Sequence, residues 1–148
     1  MSKSSHWLRV LEALVAHHEP GAGERLLKIV RIQTSFAVNC AFCIDMNTYR
    51  YETLLTSDEI AALQGRTLPE AVPTFSHREL LAIQYSKLIA TAPLSFPHSS
   101  FEELRHKFSE REIFILASAA AQVNYWARLI QALGIPPAGF SDQCAIPE

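Results

Sequence analysis

Two thiols, Cys40 and Cys43, stand three residues apart in a chain whose one other cysteine, Cys144, follows more than ninety residues later. A C-x-x-C pair supports a short list of chemistries. Covalent haem attachment needs His directly after the second cysteine, and Ile44 stands there. A structural zinc site needs four ligands, usually as two short-spaced pairs. No second pair occurs, so zinc would have to recruit Cys144 and one of the six His as remote partners. Two readings remain, a redox dithiol or two inert buried cysteines. Cysteine is among the most buried residue types, and two of them can simply fill space beside Phe42 and Ile44.

The surrounding residues predict a helix. Positions 41 to 47 contain no Gly or Pro, and Asn39 is a good N-cap residue just before Cys40. At 3.6 residues per turn Cys40 and Cys43 share a face, with Asn47 one turn further along it. A thiol in the first turn meets unpaired backbone N–H groups and the positive end of the helix dipole, and both favour thiolate over thiol. Upstream, an apolar helix over residues 22–36 carries Lys28 and Arg31 towards the thiols.

With these residues in view, the chain resembles the AhpD-like alkylhydroperoxidase and carboxymuconolactone decarboxylase family. The matching residues are Cys-Ala-Phe-Cys-Ile-Asp-Met at 40–46, after the apolar helix at 26–38, with support from Val-Asn-Tyr-Trp-Ala-Arg-Leu at 123–129. The resemblance covers about residues 24–136. It implies an all-α fold of about six to seven helices, with Asn124, Tyr125, Trp126 and Arg128 near the dithiol. Read from the residues alone, that group is an aromatic core stripe with Arg128 in an ion pair. The resemblance also implies that Cys43 attacks a hydroperoxide and Cys40 resolves it into a disulfide, assisted by a His four residues after the second cysteine and a Glu twelve before the first. This chain departs at both places: Asn47 holds the His position and Lys28 the Glu position. An amide does not titrate near neutral pH, so Asn47 can orient a water or hydrogen-bond a sulfur but cannot take the thiol proton. Lys28 can favour a thiolate by its charge, or pair with Glu24 one turn earlier. Glu24 could also stand in for the missing carboxylate, displaced by a turn.

The elements that must position these residues read as helices throughout, because no segment alternates with period two. That also argues against a thioredoxin fold, which needs a strand before its C-x-x-C. Ser5 caps a first helix through Trp7 to Val15, and His17, His18, Pro20 and Gly21 form a turn. The dithiol helix ends near 51–55. Thr56 with Glu59, Ser76 with Glu79 and Ser109 with Glu112 are capping boxes that open three later helices. A further short helix carries Phe101, Leu104 and Phe108, next to His98 and His106. The longest helix, 110–133, is apolar nearly all round from 113 to 121, which marks it as central or as part of an oligomer interface. Residues 137–148 read as an irregular tail.

At 148 residues, 49% of them hydrophobic, the chain is expected to form one domain with its own core. A net charge of -2 offers no basic surface for nucleic acid, and no apolar run approaches the length of a membrane span. The polar residues 1–6 do not lead into a signal peptide, so the expected compartment is the cytoplasm, where a dithiol is more often catalytic than structural. The leading expectation is a peroxide reductase that needs no cofactor or metal, is reset by an outside thiol or dithiol, and assembles as a homo-oligomer of two to six chains. The alternatives are a decarboxylase on the same scaffold, or a non-enzymatic binding or stress-response protein left by loss of the proton relay.

Overall fold

A computed structural model describes residues 22–142, so the segment expected to form the first helix, Cys144 and the adjacent His17 and His18 lie outside the described residues. Six α-helices and two short 3₁₀ turns make up the regular structure, with no strand among the described residues. The helices are α1 (Glu24–Ala37), α2 (Ala41–Thr48), α3 (Ser57–Leu63), α4 (His77–Ala90), α5 (His98–Lys107) and α6 (Glu110–Ala132). The all-helical expectation holds.

The central helix is α1, not the long last one. It packs against α4, α6, α2 and α3, and its buried residues run almost round the cylinder from Leu26 to Ser35. Of its buried polar residues, Gln33 leaves its side-chain oxygen without a hydrogen-bond partner among the described residues, while the two hydroxyls are accommodated locally. Thr34 Oγ1 donates to the Val30 carbonyl at 2.7 Å and Ser35 Oγ to the Arg31 carbonyl at 2.7 Å, so neither hydroxyl needs water. Leu26, Leu27 and Val30 join Leu81, Tyr85, Leu104, Leu116 and Ala120 in one core cluster. Ile29 and Ile32 join Ile60, Leu63, Val72 and Phe75 in a second.

Helix α6 buries Ile115, Leu116, Ala119, Val123 and Ala127 against the bundle, while Phe114, Tyr125, Leu129 and Leu133 stay exposed. By length and composition it could cross a bilayer, yet this packed face belongs to the bundle core.

All three capping boxes form, each with both reciprocal hydrogen bonds. Their glutamates also serve as anchors for arginines. Arg25 donates to Glu59 and to Glu79 at 2.6 Å each and also reaches the Leu54 carbonyl, tying α1 to the starts of α3 and α4. Arg78 grips Glu112 at 2.7 Å and lies over the Phe108 ring, tying α4 to α6. Glu59 is almost fully buried. Burial raises its carboxyl, but hydrogen bonds from Arg25, the Thr56 backbone and Thr74 outweigh that and leave it below the usual carboxylate range.

Candidate active site

The chain reverses between α1 and α2 at Asn39, whose φ of 50° lies in the left-handed region. Asn is among the few non-glycine residues that adopt it readily. The expected Asn39 cap is therefore corrected: Asn39 makes the turn, and Cys40 itself is the N-cap, its Sγ accepting the Cys43 N–H at 3.2 Å. The two cysteines form a disulfide across this first turn, with Cα atoms 5.2 Å apart.

The two sulfurs have different surroundings. Cys40 is completely buried, packed with Val123 and Ala127 of α6. Cys43 lies on the wall of a cavity of about 450 Å³ between α2 and α6. Phe42, Met46, Val123, Trp126 and Ile130 give this cavity apolar walls, and Arg31, Asn47 and Gln122 supply its polar ones. Trp126 and Met46 are substantially exposed at the mouth.

Asn47 shares the cavity with Cys43, but its hydrogen bond leads away from sulfur. Its Nδ2 donates to Ser35 Oγ at 2.8 Å, and Ser35 donates onward to the Arg31 carbonyl. That chain ends on an oxygen that does not titrate.

Lys28 is placed elsewhere. Because α2 runs back alongside α1, Lys28 meets the far end of α2, where its Nζ donates to the Tyr49 carbonyl at 2.8 Å. Tyr49 is six residues beyond Cys43, about 9 Å along the helix axis. An ammonium there complements the negative end of the helix whose positive end carries the dithiol. Burial and the neighbouring Arg31 charge hold the Lys28 ammonium below its ordinary value, against Glu24 and Glu52. Glu24 is exposed at the start of α1, still further from Cys43. Arg31, one turn on from Lys28, is the α1 cation on the cavity wall.

The last-helix group divides. Trp126 lines the cavity and stacks edge-on with Tyr125 at 5.2 Å, while both rings are too exposed to form the expected core stripe. Arg128 bonds Asn124 Oδ1 at 3.0 Å, in place of the expected carboxylate. His77, His98 and His106 are exposed and none lines the cavity.

Sequence reasoning missed the part played by Asp45. Its side chain is fully buried, and its carboxylate accepts the backbone N–H groups of Ala138 (3.1 Å), Gly139 (2.9 Å) and Ser141 (2.7 Å). Thr48 Oγ1 and Ser141 Oγ are 2.6 Å apart, and Phe140 packs on Tyr49. The tail is irregular, as expected, but it is fastened to the dithiol helix. A lone acid between Ile44 and Met46 was the available signal, since a buried carboxylate must find donors.

No protein-family model matches the chain, and no curated protein matches it. Solved structures do match. ATU0492 from Agrobacterium tumefaciens, a protein of unknown function assigned provisionally to antioxidant defence as AhpD, superposes with a TM-score of 0.77 at 22% identity, over 91% of this chain and 90% of that one. An uncharacterized peroxidase-related protein from Silicibacter sp. TM1040 gives 0.75 at 16% identity, over 95% and 73%. The debrominase Bmp8 in its apo form gives 0.73 at 17% identity, over 95% and 77%. At these identities the likeness speaks for architecture, and the architecture of this chain is the AhpD-like all-helical fold.

Proposed function

We propose that the protein is a thiol-dependent oxidoreductase that reduces peroxides, with Cys43 attacking and Cys40 resolving. The observation that carries this reading is the asymmetry of the pair: both sulfurs are buried, yet Cys43 lines a cavity and Cys40, one helical turn away, packs into the core. In the reduced protein the Cys43 thiolate attacks the distal oxygen of R–O–OH. The O–O bond breaks, R–OH leaves after taking one proton, and Cys43 becomes a sulfenic acid. The Cys40 thiol condenses with it, forming the S–S bond and releasing water. An outside dithiol then reduces the disulfide and is itself oxidised.

Thiolate formation at Cys43 is helped by the Arg31 charge on the same cavity and by the positive end of α2, while the first-turn N–H of Cys43 itself is directed to Cys40 Sγ. The proton that R–O⁻ needs comes from solvent or substrate, since Asn47 and Ser35 lead only to a carbonyl. Cytoplasmic residence and assembly into a homo-oligomer through the exposed apolar face of α6 belong to the same proposal.

The fold likeness supports one second reading. Bmp8, of the same architecture, is a debrominase; in such a reaction the dithiol supplies two electrons, bromide leaves, and a proton from solvent takes its place on carbon. The discriminating experiment supplies an organic hydroperoxide and a brominated aromatic separately to the reduced protein and follows Cys40–Cys43 disulfide formation by mass. Peroxide consumption that Cys43→Ser abolishes, with Cys40→Ser stalling at the sulfenic acid, is the expected result. Disulfide formation with bromide release alone would move the assignment to dehalogenation. Full peroxide consumption by Cys43→Ser would remove the thiol assignment.

A further inference from the structure

The geometry points to a small organic monocarboxylate as the ligand of the Cys43 cavity, its apolar body between Phe42 and Trp126 and its carboxylate on Arg31. The inference rests on the proposed peroxide chemistry only for calling that ligand a substrate; the binding claim stands on the cavity itself.

Three features of the cavity carry it. Its walls are chiefly hydrocarbon and aromatic, which suits a molecule with an apolar body, and a volume of about 450 Å³ fits a small ligand better than a peptide. Among the described residues lining it, Arg31 holds the one fixed charge. The other α1 cation nearby, Lys28, is turned to the Tyr49 carbonyl at the far end of α2. A single guanidinium matches one carboxylate, pairing two N–H groups with two oxygens. A phosphate monoester, with close to two charges, costs more to bring between walls this apolar. Arg31 has other contacts, but its five N–H donors let it hold a protein partner and a ligand together. Its carbonyl is already held by Ser35, which fixes the helix turn from which the side chain extends. Asn47 and Gln122, which also line the cavity, can hydrogen-bond the anion or its waters.

The test measures protection of Cys43 from alkylation in the reduced protein, peptide by peptide, with three unreactive probes: 4-phenylbutyrate, its methyl ester and 4-phenylbutyl phosphate. The acid is expected to protect at a concentration about tenfold or more below the ester, the usual advantage of a charge-assisted pair in a partly enclosed site. Arg31→Met should bring that ratio to about one. The ratio cancels any effect of the guanidinium on thiol reactivity. Trp126→Ala, which trims the shared apolar wall, should weaken acid and ester alike and keep the ratio. Equal protection by acid and ester, a ratio that survives Arg31→Met, tightest protection by the phosphate, or no protection by any probe would each overturn the inference. If the acid protects as expected while no peroxide is consumed, the proposed function fails and the binding site stands.

Discussion

Removing the Asp45 carboxylate should release the 138–141 segment from α2. Three backbone N–H groups converge on this buried side chain. Hydrogen bonds to a charged acceptor contribute about 1.5 to 3 kcal/mol each, which would give a gross loss of roughly 5 to 9 kcal/mol. The net cost is smaller. Ala138 and Gly139 are exposed, so their freed N–H groups are taken up by water, and the segment can detach without unfolding the bundle. We expect Asp45→Ala to cost about 2 to 3 kcal/mol, which for a chain of this size lowers Tm by about 4 to 12 °C. Asp45→Asn keeps the volume but replaces one acceptor oxygen with an NH₂ group, and should recover less than half of that loss. Thermal unfolding gives the size of the effect, and amide hydrogen exchange gives its location. The Ala138, Gly139 and Ser141 amides should exchange far faster in both variants, while those of α1, such as Val30 and Ile32, remain protected. Unchanged Tm together with slow exchange at those three amides in Asp45→Ala would refute the reasoning.

Three further outcomes follow from the same structure. Glu59 is held below the usual carboxylate range, so the stability it supplies is complete above about pH 4.5 and is lost as pH falls through its lower folded value; Glu59→Gln should be less stable at pH 7 by about 3 kcal/mol and show a flatter decline between pH 5 and pH 2 in urea titrations. Lys28→Met should cost about 0.3 to 1 kcal/mol by removing the cation at the end of α2, and should leave the pH profile of Cys43 alkylation unmoved; a shifted profile would return Lys28 to the thiol site. Asn47→His puts an imidazole within reach of Ser35 and beside the cavity, and the pH–rate profile of Cys43 oxidation should gain a limb near pH 6.5; an unaltered profile would show that a relay needs more than this one group.

What was legible in the sequence was local. The capping boxes at Thr56, Ser76 and Ser109 depend on residues three apart, and each formed as read. The dithiol helix was legible for the same reason. Its cap was not, because Asn39 is claimed by the reversal between two packed helices, a tertiary demand that overrides a local preference. The central place of α1 was masked by Gln33, Thr34 and Ser35, which lower its apparent apolarity although all three are buried. The bond between Asp45 and the tail joins residues more than ninety positions apart, and nothing in either segment names the other. Lys28 and Arg31 both point from α1 towards α2 in sequence terms. Only the antiparallel course of α2 decides that one meets the end of that helix and the other the cavity beside Cys43.

An isolated helix of eight residues would be marginal in water, yet α2 must hold Cys43, the sulfur proposed to attack, in a fixed place. The fold supplies that from outside the helix. Cys40 packs on α6 at the first turn, Asp45 in the middle and Thr48 at the end grip the tail, Asn47 bonds Ser35 of α1, and Lys28 closes the last turn. None of these contacts requires the disulfide, so opening it should leave α2 docked. In the proposed cycle the choice of which sulfur meets substrate and which resolves is then made by the cavity: both are buried, but Cys43 lines it and, among the described residues, Cys40 does not. A peroxide or an incoming dithiol of ordinary size meets the same sulfur first, and the reductive step begins where the oxidative step began.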